Sequence, residues 1–177
     1  MTAAGLGGHR SAIHLDRTTE AWLVLGVELR DRVVKVLDGA ASDVEAVGSS
    51  SVLGLLAKPI IDLVVGLRPG QSLELVSGRL EADGWIYRGD AGENGGHVFM
   101  LEARPLVRVA HLHVVEYQGG QWRNYVRLRD LLRRSPDARE QYEKVKARLA
   151  AREPSDMSAY TTGKTEVVSA LLGDDSA

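Results

Sequence analysis

The chain of 177 residues contains no cysteine. This absence excludes a disulfide-stabilised scaffold and any zinc or iron–sulfur site that depends on thiolate ligands. It is also typical of a reducing compartment, so we expect a cytoplasmic protein. No apolar run approaches the ~20 residues that a membrane-spanning helix requires. The first eight residues resemble neither a signal peptide nor an anchor, and we expect no membrane association.

Aromatic residues and net charge are also scarce. Phe, Trp and Tyr make up 5% of the residues, and the formal net charge is −2. Base-stacking side chains and a strong positive charge are therefore missing, and we expect no nucleic-acid partner. The charge is nevertheless uneven, because residues 122–152 hold ten Lys and Arg against four Asp and Glu. Such a basic segment either attracts a polyanionic ligand or forms a solvated helix with ion pairs.

Several catalytic motifs are absent as well. The sequence contains no Gly-x-x-x-x-Gly-Lys-Ser/Thr phosphate loop, no dinucleotide-binding glycine fingerprint, no Gly-x-Ser-x-Gly turn and no His-Glu-x-x-His helix. A function must therefore be argued from smaller groups of residues.

The order of the predicted elements indicates an α+β fold. Apolar residues at helical spacing predict a first helix that begins at Thr18 or Thr19 and ends at residue 37. Short strands and a second helix follow, and three helices separated at prolines form the C-terminal part. We predict a mixed β-sheet with helices packed mainly on one side and a helical C-terminal layer. Residues 13–172 are expected to form a single domain between flexible tails at residues 1–12 and 173–177.

The stretch from Gly48 to Asp62 is the first candidate for a site. Gly48 permits a tight turn, and the hydroxyl groups of Ser49 and Ser50 suit a phosphate, although an ordinary serine turn has the same composition. One or two helical turns are predicted over residues 51–57. The strand that follows is apolar except for Asp62, and an unpaired buried carboxylate is strongly unfavourable. Asp62 is therefore either a hydrogen-bonded structural residue or a metal ligand.

His111 and His113 alternate with apolar residues in a later strand, so both are predicted to face the same side of the sheet. This spacing suits paired metal ligands or a general base beside a phosphate. The alternative is a pair of histidines on an open sheet face. Lys58 and Arg129 are candidate cations for binding an anion, and exposed salt bridges are the alternative role for the arginines of this segment.

Three groups of residues, in their order and spacing, resemble the GrpB family, a branch of the nucleotidyltransferase superfamily with a polymerase-β-like core. The first is Gly-Ser-Ser-Ser-Val-Leu-Gly-Leu at residues 48–55 with Ala-Lys-Pro-Ile-Ile-Asp at residues 57–62. The second is His-Leu-His-Val at residues 111–114. The third begins at Trp122 and ends at Lys164. The resemblance implies a sheet of nucleotidyltransferase type.

The resemblance also implies a nucleotide and metal site, with Mg2+ and ATP or another nucleoside triphosphate as cofactors. The implied nucleotide- and phosphate-binding residues are Gly48, Ser49, Ser50, Lys58, Arg129 and Lys164. The implied catalytic and metal-binding residues are Asp62, His111 and His113. The superfamily pairs its first carboxylate with a second one, but Val64 stands at that position here. Ser50 and Leu53 also replace the threonine and proline that are usual in the family.

Three functions follow from these expectations. The first is an NTP- and Mg-dependent transferase or ligase that acts on a small-molecule acceptor, by nucleotidyl or phosphoryl transfer or by ATP-driven amide formation. The second is a non-catalytic module that binds a nucleotide, a coenzyme or a partner protein, which the missing second carboxylate favours. The third is a metal-dependent hydrolase. The expected partners are a nucleotide and a small-molecule acceptor, and a homodimer is compatible with each function.

Overall fold

The computed structural model describes residues 4–9, 13–92, 95–152 and 156–173. The strands are β1 Gly8–His9, β2 Asp16–Arg17, β3 Asp43–Val47, β4 Leu56–Ala57, β5 Ile61–Leu67, β6 Ile86–Asp90, β7 His97–Arg104 and β8 Val107–Glu116. The helices are α1 Glu20–Leu37, α2 Leu73–Ala82, α3 Gly120–Arg134, α4 Pro136–Arg152 and α5 Met157–Leu172. Within these residues, no helix combines the length and the apolar character needed to span a bilayer.

The main sheet has the strand order β3-β5-β8-β7-β6, and β1 pairs with one end of β8. Strands β5 and β8 are parallel, whereas the other neighbours in this sheet are antiparallel. Strands β2 and β4 form a separate two-stranded ribbon. The mixed sheet and the α+β class predicted from the sequence are confirmed.

Helices α1 and α2 cover one face of the sheet. Alternate residues of β5 and β8 point to this face, because successive side chains of a strand face opposite sides. They pack against the apolar stripes of the two helices and form the main core. Its fully buried members include Val33, Leu37, Leu63, Val65, Val76, Leu80, Phe99, Ala110, Leu112 and Val114.

The C-terminal helices form a layer on the opposite face. Near the carboxyl ends of β5 and β8, Trp122 of α3 packs on Val47, Val64 and Val115. A second apolar cluster joins α3, α4 and α5 through Leu132 and Tyr142, among others. The predicted helical C-terminal layer is therefore present, and it leaves part of this sheet face free to form a cleft.

The expectation of a flexible tail over residues 1–12 is wrong for residues 4–9. The side chain of Leu6 is only 3% exposed and belongs to the main core, and the indole Nε1 of Trp22 donates a hydrogen bond to the Ala4 carbonyl at 2.9 Å. The segment is ordered because Leu6 supplies an apolar anchor within a run of small residues. The remaining residues of the two expected tails, 1–3, 10–12 and 174–177, lie outside the described residues.

One local prediction near the serine turn also needs correction. Ser49–Ser51 forms a single 3-10 turn and β4 follows it, so residues 51–57 do not form the predicted helical turns. Thr19, one of the two predicted positions, occupies the N-cap of α1, although its side chain forms no capping hydrogen bond. The hydroxyl of Thr18 instead donates to the Val52 carbonyl at 2.5 Å, which ties the start of α1 to the serine turn.

A substitution of Gly66 in β5 tests how tightly Tyr117 and Trp122 pack on the sheet face that the C-terminal helices cover. A Cβ added at this position would lie 2.6 Å from Cδ2 of Tyr117 and 2.9 Å from Cζ3 of Trp122. We expect Gly66→Ala to lower the free energy of unfolding by about 1–3 kcal/mol, as other overpacked sites do. Urea denaturation would measure the change.

Gly78 in α2 provides the matched control, because a Cβ at that position meets no atom within 4 Å. Gly78→Ala is expected to be neutral or to stabilise the protein by up to about 1 kcal/mol, since alanine has the higher helix propensity. Equal free energies of unfolding for the two variants would contradict the packing described for Gly66.

Candidate functional site

A deep cleft lies between the sheet and the C-terminal helices. Its volume is about 570 Å³, a size typical of small-molecule sites. The free part of the sheet face forms one wall, and α3, α4 and α5 form the other. The charged side chains that line it are Lys58, Asp62, Arg108, Lys146 and Lys164. Four of these five side chains are cationic, so the cleft suits an anionic ligand.

The cleft collects most of the residues predicted from the sequence. Those that line it are Gly48, Ser49, Lys58, Asp62, His111, His113 and Lys164. These residues are distant in the chain. They meet because β5 and β8 are adjacent in the sheet and α5 folds back over them. Ser50 and Arg129 have other positions.

Gly48 lies directly against the carboxylate of Asp62. Its φ of 69° falls in the left-handed region, and an added Cβ would lie 2.6 Å from Oδ2 of Asp62. Glycine is therefore required at this position both by the backbone conformation and by the close approach of the carboxylate. Strand pairing fixes the geometry, because Asp62 is opposite Val47 at the end of β3.

Asp62 also faces His111 across the parallel pair β5–β8. Their closest atoms, Oδ1 of Asp62 and Nδ1 of His111, are 3.6 Å apart. Burial by itself would raise the pKa of Asp62, but the contact with His111 and the charges of His111 and Lys164 outweigh it and lower the pKa to about 2. Nε2 of His111 is buried and has no hydrogen-bond partner among the described residues. Asp62 is thus an anion near pH 7, and Nε2 of His111 is available for a hydrogen bond to a ligand.

His113 is held as a neutral side chain. Burial lowers its pKa to about 4, although the Asp62 charge and a hydrogen bond to Gly95 favour the protonated form. Its Nδ1 lies 3.0 Å from the Gly95 carbonyl oxygen, which can only accept, so Nδ1 carries the proton. Nε2 of His113 is therefore the acceptor nitrogen of the ring.

Lys146 of α4 is the most buried cation of the cleft, with 2% of its surface exposed. Its Nζ lies 2.8 Å from Oγ of Ser49 and also donates to the Leu56 carbonyl. Burial lowers the pKa of Lys146 to about 7, and the positive charge of Lys164 adds to this effect. Lys146 therefore lies near its point of half-protonation at neutral pH.

Lys58 has the same character to a lesser degree. Burial, followed by the charge of Lys164, lowers its pKa to about 8. Its Nζ lies 5.2 Å from the ring centroid of Tyr160, a cation–π distance. The hydroxyl of Tyr160 is buried and has no hydrogen-bond partner among the described residues. The cleft thus contains two lysines with lowered pKa values and a phenol that can still donate a hydrogen bond.

The three serines of the turn have different roles. Ser49 lines the cleft, whereas the hydroxyl of Ser50 accepts the backbone N–H of Asp62 at 3.1 Å. The hydroxyl of Ser51 donates to the Gly48 carbonyl at 2.8 Å. Ser50 therefore positions the strand that carries Asp62, and its predicted contact with phosphate is not supported by this geometry.

The position of Arg129 corrects another expectation. Its guanidinium is almost fully buried and forms ion pairs of 2.8 Å with both Glu45 and Asp130, and it donates to the Ala46 carbonyl at 3.1 Å. Burial by itself would lower the pKa of Arg129, but the two carboxylates raise it. With these partners, Arg129 attaches α3 to β3 and does not bind phosphate in the cleft.

Arg108 is a cleft residue that the sequence pattern did not reveal. Leu101 of β7 pairs with Ala110, but the next residue, Glu102, pairs with Arg108. Val109 is thus the extra residue of a β-bulge, which turns Arg108 to the face that carries His111. Strict alternation would have placed Arg108 on the opposite face, with Ala110.

The carboxylate and histidine set does not fit a two-metal centre. Asp62 is the carboxylate that lines the cleft, and Val64 occupies the next position of β5 on the same face. Among the described residues, no three Asp, Glu or His side chains are grouped as metal ligands would be. Metal ligation by Asp62, His111 and His113 together therefore has no support in this geometry.

Comparison with known proteins places this site in context. The model of the family described as GrpB protein matches residues 12–174. Glutamate-rich protein GrpB of Alkalihalophilus pseudofirmus is 30% identical over 172 residues, which cover 96% of this chain and 99% of that protein. UPF0157 protein PA4798 of Pseudomonas aeruginosa is 38% identical over 133 residues. That match covers 73% of this chain and only 54% of the Pseudomonas protein.

Solved structures share the fold. The conserved protein GrpB from Enterococcus faecalis superposes with a TM-score of 0.72 at 24% identity, over 90% of this chain and 100% of that one. Cid1 in complex with its short product ApU, which has the nucleotidyltransferase fold, superposes with a TM-score of 0.52 at 15% identity. That match covers 77% of this chain and 43% of Cid1. A nucleotidyltransferase-like fold is therefore shown.

The neutral state of His113 predicts a pH dependence of stability. Between its usual pKa of 6.5 in the unfolded chain and about 4 in the folded protein, the unfolded chain binds more protons. The free energy of unfolding should therefore decrease as the pH falls through this range, by about 3 kcal/mol at most. His113→Gln should remove this contribution, as measured by urea denaturation at several pH values.

His14, which is exposed, is the matched control, and His14→Gln should retain the pH dependence of the wild type. The assignment of His113 as a neutral buried residue is wrong if His113→Gln leaves the slope between pH 4 and 6.5 unchanged.

Proposed function

This chain belongs to the GrpB family, and we propose that it binds a nucleoside triphosphate in the cleft and transfers a phosphoryl or nucleotidyl group from it to a small-molecule acceptor. Transfer to a carboxylate acceptor would activate that acid for amide formation, so the proposal includes ligase chemistry. The nucleotidyltransferase-like fold supports a nucleotide as the ligand. The match covers 99% of the Alkalihalophilus protein but only 54% of the Pseudomonas protein. The proposal therefore concerns only the matched domain.

The single observation that carries the proposal is the grouping of three lysines in the cleft. Among the described residues, Lys58, Lys146 and Lys164 line the cleft together with Asp62, and burial and then the charge of Lys164 lower the pKa of the other two lysines. Cations gathered in this way repel one another and lose hydration, and a polyanion would relieve both effects. A triphosphate supplies the necessary charge and presents many acceptor oxygens to these donors.

The remaining lining suits the uncharged part of a nucleotide. Val98 and Met100 of β7, Leu128 of α3 and Val168 of α5 add apolar surface to the cleft. The buried hydroxyl of Tyr160 adds a hydrogen-bond donor near the cations. Small-molecule sites commonly combine a largely apolar wall with a few directed polar groups in this way.

Mg2+ is proposed only as an ion that the nucleotide brings with it. Magnesium prefers oxygen ligands and is commonly held by one or two carboxylates together with substrate phosphates. Asp62, which remains ionised near pH 7, can supply one such oxygen. The absence of a second carboxylate at Val64 does not fit two protein-held metal ions, so we derive no catalytic step from a metal pair.

A non-catalytic nucleotide- or coenzyme-binding module is the second candidate. The residue that favours it is Val64, because an apolar side chain replaces the second carboxylate of nucleotidyl transfer. Binding without turnover in the presence of Mg2+ and a range of acceptor amines and acids would favour this candidate.

Lys164 offers the most direct test of binding, because it is half-buried in the cleft and its charge acts on Lys58, Asp62 and Lys146. We expect Lys164→Met to weaken ATP binding by about 10–100-fold, the usual loss for a hydrogen bond to a charged group. Isothermal titration calorimetry would measure the dissociation constant.

Lys35→Met is the matched control, since Lys35 is exposed on α1 and lies on the opposite side of the sheet. It removes the same charge without touching the cleft, so its affinity should stay close to that of the wild type. If both variants lose affinity equally, the loss reflects only the change in net charge and not a contact in the cleft. Absence of ATP binding by the wild type would refute the proposal.

The lowered pKa of Lys58, about 8, predicts that binding is linked to protonation. A bound polyanion favours the charged form of Lys58, so the protein should take up protons on binding near pH 8. Affinity should therefore decrease as the pH rises from 7 to 9. Calorimetry in buffers of different ionisation enthalpy measures this uptake, and binding without it would contradict the assignment.

A further inference from the structure

Ser49 and Lys146 form a close pair in the wall of the cleft. Oγ of Ser49 and Nζ of Lys146 are 2.8 Å apart, and both side chains are almost completely buried. They come from the turn after β3 and from the middle of α4, 97 positions apart in the chain. Both line the same cleft that is proposed to hold a nucleotide.

The surroundings of Lys146 fix the position of its amine. Nζ donates to the Leu56 carbonyl and to Oγ of Ser49, and when the amine is neutral its lone pair can accept the serine hydroxyl proton. The ring centroid of Tyr142 lies 4.9 Å from Nζ. The charged groups that face the amine are Lys58 from the segment after β4, Asp62 of β5, Glu143 of α4 itself and Lys164 of α5.

We propose that Ser49 is a nucleophile and Lys146 its general base, and that Ser49 accepts the terminal phosphoryl group of the bound nucleoside triphosphate. This inference rests on the proposed function. A serine within hydrogen-bond reach of a buried lysine is a recognised arrangement for activating the hydroxyl. The terminal phosphoryl group lies at the free end of a nucleoside triphosphate, so attack on it releases a nucleoside diphosphate.

The step balances without any further reactant. The Oγ–P bond forms while the bond from the terminal phosphorus to its bridging oxygen breaks. The hydroxyl proton moves to Nζ of Lys146, and the electron pair of the broken bond leaves with the nucleoside diphosphate. The phosphoserine would then carry the group to an acceptor, and the surrounding cations would stabilise its negative charge.

Among the three serines of the turn, the contact with a lysine amine is specific to Ser49. Ser50 accepts a hydrogen bond from the N–H of Asp62, and Ser51 donates its hydroxyl to the Gly48 carbonyl. Neither hydroxyl contacts an amine in the described structure. Ser51 therefore provides a control from the same turn.

A fluorophosphonate probe tests the pair without any need for nucleotide binding, because it reacts with activated serines through loss of fluoride. The wild-type protein and Ser51→Ala should be labelled at Ser49, as located by peptide mass spectrometry. Ser49→Ala should not be labelled, and Lys146→Arg, which keeps the charge and the donors but cannot act as a base at neutral pH, should react at least about tenfold more slowly.

The Lys146→Ala variant distinguishes loss of the base from loss of the folded structure. Small primary amines such as ethylamine should restore labelling of this variant by occupying the vacated space, with circular dichroism confirming that it is folded. Equal rates for Lys146→Arg and the wild type, or labelling of a different residue, would overturn the pair as a nucleophile and base.

Incubation with ATP and Mg2+, followed by intact-mass measurement, tests the transferred group. The wild type should gain the mass of one phosphoryl group at Ser49, and Ser49→Ala should gain none. If calorimetry shows ATP binding but no mass is gained and the fluorophosphonate does not react, the nucleophile is refuted while the proposed nucleotide site stands. Labelling by the fluorophosphonate without ATP binding would instead refute the nucleotide site.

Discussion

The grouping of three lysines in a partly buried cleft is the constraint on which the site depends. Among the described residues, Lys58, Lys146 and Lys164 line one cleft together with Asp62, which is ionised near pH 7. Burial, and then the charge of Lys164, makes the protonated forms of Lys58 and Lys146 unfavourable and lowers their pKa values. A fold maintains such an arrangement most readily where a ligand supplies the missing negative charge, as active sites commonly do.

The fold produces this arrangement with a few local devices. The left-handed conformation of Gly48 brings the serine turn against Asp62, and the β-bulge at Val109 turns Arg108 into the cleft. On the opposite wall, Glu143 accepts the N–H of Leu56 at 2.8 Å while Lys146 donates to the carbonyl of the same residue. Helix α4 is thereby attached to the segment that leads into β5. One wall of the site is therefore held in place by two hydrogen bonds between side chains of α4 and the backbone of Leu56.

Much of the fold and part of the site could be predicted from the sequence. Apolar periodicity identified the long helix α1 and the buried strand β5, and alternation correctly placed His111 and His113 on one face. Arg108 was missed because a bulge cancels alternation, and no local sequence signal marks its position. Arg129 was misplaced because its partners Glu45 and Asp130 include one that is 84 positions away in the chain. The pairing of Ser49 with Lys146 likewise depends on tertiary packing, although both residues belonged to the groups that resemble the GrpB family.

The central claim is that the cationic cleft is a polyphosphate site. A crystal structure with a non-hydrolysable ATP analogue tests it most directly, because it locates the phosphates relative to individual side chains. The predicted result places the phosphate oxygens within hydrogen-bond distance of Lys58, Arg108 and Lys164, with the terminal phosphate nearest to Ser49. Phosphates bound outside this cleft, or an analogue held with its phosphates directed to the solvent, would contradict the claim.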